Sequence, residues 1–145
     1  MADSFDDFAD EIQDEIYSEL RKIYSAEALD RWINPDNIGP LDNPDASACI
    51  TGRCGDTMEI YLCFNNDRVE KATYMTDGCA SSNICGSFAA SMAEGKSPDE
   101  IAEITGEAIL NRVGSIEEED RHCAYLAAEA LQEALDSYMK KQRNK

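Results

Sequence analysis

Apolar residues recur at spacings of three and four near the start of the chain, at Phe5, Phe8, Ile12, Ile16, Leu20 and Ile23. One face of a helix is therefore apolar, and residues 4–33 are expected to form a leading helical segment. Ser4 is placed to cap it, and Asp residues early with Arg21 and Lys22 late suit the helix dipole. A second short helical piece is expected over 26–32. Asn34-Pro35-Asp36-Asn37-Ile38-Gly39-Pro40-Leu41-Asp42-Asn43-Pro44 holds three of the four prolines and reads as a loop. The period then changes to two. Met58, Ile60, Leu62 and Phe64 alternate with polar positions, which predicts a strand over 57–64. Asn65-Asn66-Asp67 reads as a turn, 69–76 as a strand pairing back in a hairpin, and 48–52 as a shorter third strand.

After Gly78 the pattern turns helical again. Residues 80–94 are rich in small side chains, and Gly95 suits the end of that helix. Ser97-Pro98-Asp99-Glu100 combines an N-cap serine, a proline at the first helical position and a glutamate to complete a capping box. That helix ends near Thr105-Gly106, another covers 107–113, and 114–121 is a charged connection. Leu126, Ala127, Ala130, Leu131, Ala134, Leu135 and Tyr138 mark an amphipathic last helix over 124–138, followed by a basic tail. A helix, a small antiparallel sheet and then several helices imply the α+β class: a three-stranded antiparallel sheet with an N-terminal helix and C-terminal helices packed on it. At 145 residues the chain is expected to be one domain, 1–145.

Thirty Asp and Glu stand against 13 Lys and Arg, a formal net charge of -17. Such a surface repels nucleic-acid phosphates and anionic membranes, so neither is an expected partner, whereas metal ions and basic protein surfaces are compatible. No secretory signal and no run of about 18 apolar residues is visible, so a cytoplasmic location is expected. Six cysteines in that compartment point to metal binding or catalysis rather than disulfides.

Three of the six sit where chain direction changes. Cys54 lies in Gly52-Arg53-Cys54-Gly55-Asp56 before a strand, Cys79 follows Gly78 between strand and helix, and Cys123 follows His122, the only histidine, at the start of the last helix. A helix start favours a thiolate, the form that binds metal or attacks sulfur. No two cysteines are spaced as a paired zinc knuckle, so the fold must assemble any site from distant segments. Three thiolates with Asp56 or His122 suit an iron–sulfur cluster or zinc, and ligand types do not separate the two. Cys63 inside a strand and Cys85 inside a helix read as packing residues, and Cys49 is left open. Taken as strand neighbours, Cys54 and Asp56 would share a face.

From Trp32 to Leu135 the order and spacing of Asn34-Pro35-x-Asn37-x-Gly39, Cys54-Gly55-Asp56, Thr76-Asp77-Gly78-Cys79-Ala80, Gly95-Lys96-Ser97 and His122-Cys123 with Leu126-Ala127 resemble the IscU/NifU-type iron–sulfur cluster assembly scaffolds. The resemblance implies an assembly scaffold rather than an enzyme. It would accept persulfide sulfur from a cysteine desulfurase, take up ferrous iron, assemble a [2Fe-2S] cluster and hand it to apo-proteins. It further implies Cys54, Cys79 and Cys123 as thiolate ligands and Asp56 as a ligand or neighbour that keeps the cluster labile. His122 is implied as an alternative ligand and Cys123 as the persulfide acceptor, with Zn2+ possible at the same site. A homodimer sharing a cluster is compatible. Two features depart from the IscU branch. Its Leu-Pro-Pro-Val-Lys segment, which recruits an Hsp70-type chaperone, is replaced by Ile116-Glu117-Glu118-Glu119-Asp120-Arg121, so that partner is not implied. Cys85 also stands where Ser or Ala is usual. The alternatives are a zinc-dependent sulfur-transfer protein of SufU type and a structural zinc-binding module.

Overall fold

The computed structural model describes residues 2–144, with side chains from Phe8 onward. The order is α1 (Ala2–Ile23), α2 (Ala26–Ile33), β1 (Ala46–Thr51), β2 (Thr57–Asn65), β3 (Arg68–Thr76), α3 (Ala80–Ala93), α4 (Pro98–Ile101), α5 (Gly106–Val113) and α6 (His122–Arg143), with a 3-10 turn at Glu118–Asp120. The strands form one antiparallel sheet in the order β1-β2-β3. The α+β reading holds. The Ser4 cap and the Phe5 position lie outside the described side chains.

The period-two pattern decides the sheet. Met58, Ile60 and Leu62 of β2 are fully buried on the helix-facing side, and Phe64 stacks on Tyr138 of α6 with ring centroids 3.6 Å apart. The hairpin closes through Asn66 and Asp67, both at positive φ, a conformation that Asn and Asp tolerate and that matches strand twist. A bulge between Cys63 and Phe64 lets the register slip without losing the buried face. Cys63 pairs with Lys71 on the opposite, half-exposed face, so it is not a core residue as the packing reading expected.

Helix α3 is the centre of the molecule. It is buried nearly all round, from Ser81 to Ala93, and packs on β3, α6, α2 and α5. Small residues make this possible: the Tyr74 ring and Met58 sulfur lie against Gly86, where a side chain would intrude. Its buried serines are each hydrogen-bonded: Ser81 to Tyr24, Ser82 to Asp56, and Ser87 to Arg31. Ser97 and Glu100 form the expected capping box on α4, and Thr105 caps α5. The last helix begins earlier than the apolar pattern indicates, so His122 and Cys123 lie in its first turn.

The leading segment divides into the two expected helical pieces, but the first is less buried than its apolar stripe predicts. The chain breaks at Tyr24-Ser25, Ser25 caps α2, and α2 packs on α3. Of α1, Leu20 and Ile23 reach the core, while Phe8, Ile12 and Ile16 are 60%, 42% and 49% exposed. An apolar stripe predicts burial only when the body extends far enough to meet it, and here it meets only the last turn of α1.

Replacing a helical glycine by alanine ordinarily gains about 1 kcal/mol. At Gly86 a Cβ would stand 2.6 Å from the Tyr74 ring, so Gly86→Ala should instead cost about 1–3 kcal/mol by overpacking. A lowered urea midpoint at unchanged slope is the expected result; a raised midpoint would show that the ring yields freely.

Candidate metal centre

The turn 52–56 carries the first two site residues. Gly52 N–H donates to Asp56 O at 2.8 Å, and Gly55 takes φ +90°, a region that favours glycine. Cys54 and Asp56 thus sit in a tight turn before β2, not on a strand as the two-residue spacing suggested. The turn is fixed to the end of β3, since Thr57 N–H donates to Asp77 Oδ1 at 2.7 Å and Thr76 Oγ1 to Thr57 O at 2.6 Å. From there the chain passes through Gly78 to Cys79, the N-cap of α3. Asn83 Nδ2 donates to the Cys79 carbonyl at 3.1 Å, and Asn83 Oδ1 accepts from the Tyr74 hydroxyl at 3.2 Å. A Cβ on Gly78 would collide with Ser82 and come 2.9 Å from Asp56 Oδ2, so only glycine lets the two segments meet.

Five expected residues converge, in two overlapping trios. Ligand atoms of Cys54, Asp56 and His122 lie within 4.8 Å of one another, and so do those of Asp56, Cys79 and Cys123. Asp56 is common to both. The three sulfurs do not form one such set among the described residues. Cys54 and Cys79 are exposed, whereas Cys123 is 1% exposed. Gly52, Arg53, Cys54, His122 and Leu126 line an open cavity of about 440 Å3 on the Cys54 side.

Hydrogen bonds orient the donors. His122 Nδ1 lies 2.9 Å from Glu119 O. A carbonyl only accepts, so Nδ1 carries the proton and Nε2 keeps its lone pair for a metal or a proton. Nε2 is 3.8 Å from Cys123 Sγ. The Ser82 hydroxyl lies 3.2 Å from Asp56 Oδ2 and 3.4 Å from Cys123 Sγ. Its single hydrogen can serve the carboxylate or a thiolate, not both at once. Burial pushes the Cys123 thiol up to about 11; Ser82 opposes the rise, and Cys79, Asp120 and Asp56 add to it. Burial also raises Cys85, which is fully enclosed in α3 and reads as a packing residue.

Three sulfurs, one carboxylate and one imidazole meeting at an accessible pocket fit a soft or borderline metal, iron or zinc. A match to the NifU-like N terminal domain covers residues 23–145. The chain belongs to that family. Relatives share 28–34% identity with it. The "Iron-sulfur cluster assembly scaffold protein IscU 1" of Archaeoglobus fulgidus is 34% identical over 120 residues, covering 82% of this chain and 78% of the relative. That of Aquifex aeolicus is 30% identical over 122 residues, covering 82% and 78%. The fold matches the NifU-like N-terminal structure from Brucella abortus, with TM-score 0.65 at 23% identity over 84% of this chain and 98% of that one. A SufU-system scaffold structure from Fervidobacterium islandicum gives TM-score 0.61 at 19% identity, covering 79% and 97%. Residues 2–22 of α1 precede the family match.

Sequence reasoning missed Ser82 and the Tyr24–Ser81 pair. Ser82 was findable, because it lies one helical turn past Cys79 and so on the same face. Tyr24 was not, because its buried hydrogen bond to Ser81 spans 57 positions.

Exposure and proton affinity together set an order of reactivity. In metal-free protein at pH 8, iodoacetamide should label Cys54 and Cys79 well before Cys123, with Cys85 last. Ser82→Ala should slow Cys123 further by removing the one group that favours its thiolate. Mass mapping after timed quenching reads both; Cys123 reacting alongside Cys79 would refute the buried, protonated thiol.

Proposed function

We propose that this chain is a scaffold on which a [2Fe-2S] cluster is assembled and released, with Cys54, Cys79, Cys123 and Asp56 as its ligands and His122 as the alternative to Asp56. The observation that carries this reading is the sharing of Asp56 between the two trios. Asp56 then stands between Cys54 on one side and Cys79 and Cys123 on the other, so the four ligands of a two-iron cargo meet at one place.

The same residue makes the cargo releasable. A carboxylate oxygen is a harder donor than sulfur and holds an iron–sulfur centre less firmly. When Ser82 turns its hydrogen toward the thiolate of Cys123, Asp56 loses that donor and is free to coordinate. Metal binding must displace the Cys123 proton, and His122 Nε2 is the nearest base positioned to take it.

Sulfur is supplied as a persulfide by a cysteine desulfurase. The terminal sulfur passes to a deprotonated scaffold thiol: one S–S bond forms, the donor's S–S bond breaks, and the donor cysteine leaves as a thiolate. Cys123 is the acceptor, once its proton has left. Iron then binds, each transferred sulfur takes two electrons from an external electron-donor protein to become cluster sulfide and frees the cysteine thiolate as a ligand, and apo iron–sulfur proteins receive the product. The same donors suit Zn2+ when no cluster is present.

Asp56→Ala should retain its cluster longer. With both forms reconstituted anaerobically, transfer to an apo-ferredoxin should be at least several-fold slower in the variant. Equal transfer and decay rates would sink the assignment of lability to Asp56.

A further inference from the structure

In a chain of 30 Asp and Glu, three of the 13 Lys and Arg converge on one cavity. Arg31 of α2, Lys96 of the turn after α3 and Arg112 of α5 line a space of about 310 Å3, together with Ser91, Met92 and Ile104. All six lining residues are basic, hydroxylated or apolar. The cavity stands apart from the metal centre. Ser91 lies nine residues along α3 from Ser82, about 14 Å at the helical rise.

The three cations are held differently. Arg31 is fixed: Nη1 donates to Ser91 Oγ at 2.7 Å and to Ser87 Oγ at 3.3 Å, and its guanidinium stands 4.3 Å from the centre of the Phe88 ring. Arg112 lies 5.2 Å from the same ring and forks onto Glu27 at 3.1 and 3.4 Å. Arg31 Nη2 is 3.7 Å from that carboxylate. Lys96 has no ion-pair partner among the described residues. One carboxylate therefore answers three cations, and the cavity keeps an excess of two positive charges. Holding α2 to α3 and α5 accounts for Arg31, Glu27 and half of Arg112, which is 48% exposed. It leaves Lys96 without a task.

The lining states what would fit. Guanidinium and ammonium groups around a concave space bind oxyanions, and an excess of two charges suits a dianion. Met92 and Ile104 offer apolar surface that a bare inorganic ion would not use, and the space is of small-molecule size. The Ser91 hydroxyl is already committed, accepting from Arg31 and donating to Phe88 O at 3.2 Å. The net charge of -17 repels an acidic protein surface across its whole width. A small ion meets only the cavity, because charges beyond about 8 Å are screened at physiological salt. We infer that this cavity binds a small organic dianion, a dicarboxylate or a phosphate ester. Its charged groups rest on Arg112 and Lys96, and its carbon body lies on Met92 and Ile104. Arg31 is a positioning residue, locked on Phe88 and Ser91.

The test is calorimetric titration of the metal-free full chain at constant ionic strength, with succinate, glycerol 3-phosphate and inorganic phosphate as probes. At least one organic dianion should bind saturably at one site per chain, and more tightly than inorganic phosphate. Whether succinate or glycerol 3-phosphate binds the tighter identifies the carboxylate or the phosphate ester as the ligand class. Lys96→Gln removes a side chain that holds nothing else in place, so it should leave the melting temperature unchanged. It should weaken binding at least about tenfold, as for the loss of a charge-assisted contact. Arg143→Gln makes the same charge change at the end of α6 and should leave binding unaltered. Amide shifts on binding should centre on Ser91, Lys96 and Arg112. The site would be overturned by the absence of saturable binding for both organic probes, or by inorganic phosphate binding as tightly as they do. Equal affinity in Lys96→Gln and wild type, or equal weakening in Arg143→Gln, would overturn it as well.

Discussion

The approach of the Asp56 carboxylate to the first turn of α3 is the contact on which the rest of the site depends. It requires that Gly78 have no side chain, that Gly55 turn the chain back, and that Ser82 present a hydroxyl 3.2 Å away. Only then do the turn before β2, the end of β3 and the start of α6 meet. None of these segments is near another in sequence. The helix between them, α3, is built of small residues so that sheet, α2, α5 and α6 can all close on it. The same compactness buries Cys123 and leaves Cys54 and Cys79 open.

That asymmetry gives the site its chemistry. Two of the thiols lie exposed, while the third is buried and raised to about 11, so it ionises only when a neighbouring base or a metal takes the place of its proton. The Ser82 hydroxyl and the carboxylates of Asp120 and Asp56 adjust the balance. Burial dominates, however. Carboxylates gathered around a thiol make the pocket attractive to a cation and unfavourable for a free thiolate, and one metal ion relieves both penalties at once.

Much of this was legible in the chain. The alternation of Met58, Ile60 and Leu62 located the central strand and its buried face, and the Ser97–Glu100 signature located a helix start. Cysteines at element boundaries were separable from Cys85 inside one. Three things were not legible, for physical reasons. Treating Cys54 and Asp56 as same-face strand neighbours failed, because a two-residue spacing does not distinguish a strand from a glycine turn. Cys63 looked like packing because a strand residue's face depends on register. The stripe on α1 looked like a core face because amphipathicity says only that one side avoids water, not whether this chain or another covers it. The Tyr24–Ser81 bond that anchors α1 depends on contacts between residues far apart in sequence, which no local pattern carries.

Residues 23–145 carry the NifU-like N-terminal domain, most of the acidic helix α1 precedes that match, and consecutive acids stand ahead of His122-Cys123. The proposed function turns on the ligand set. The ligand set is therefore the matter to decide first. Mössbauer spectroscopy of the wild-type chain reconstituted anaerobically with 57Fe should resolve two equal quadrupole doublets, because one iron is held by two thiolates and the other by a thiolate and an oxygen. A single doublet, as from two irons in identical sulfur surroundings, or the absence of any cluster signal, would refute a site completed by Asp56.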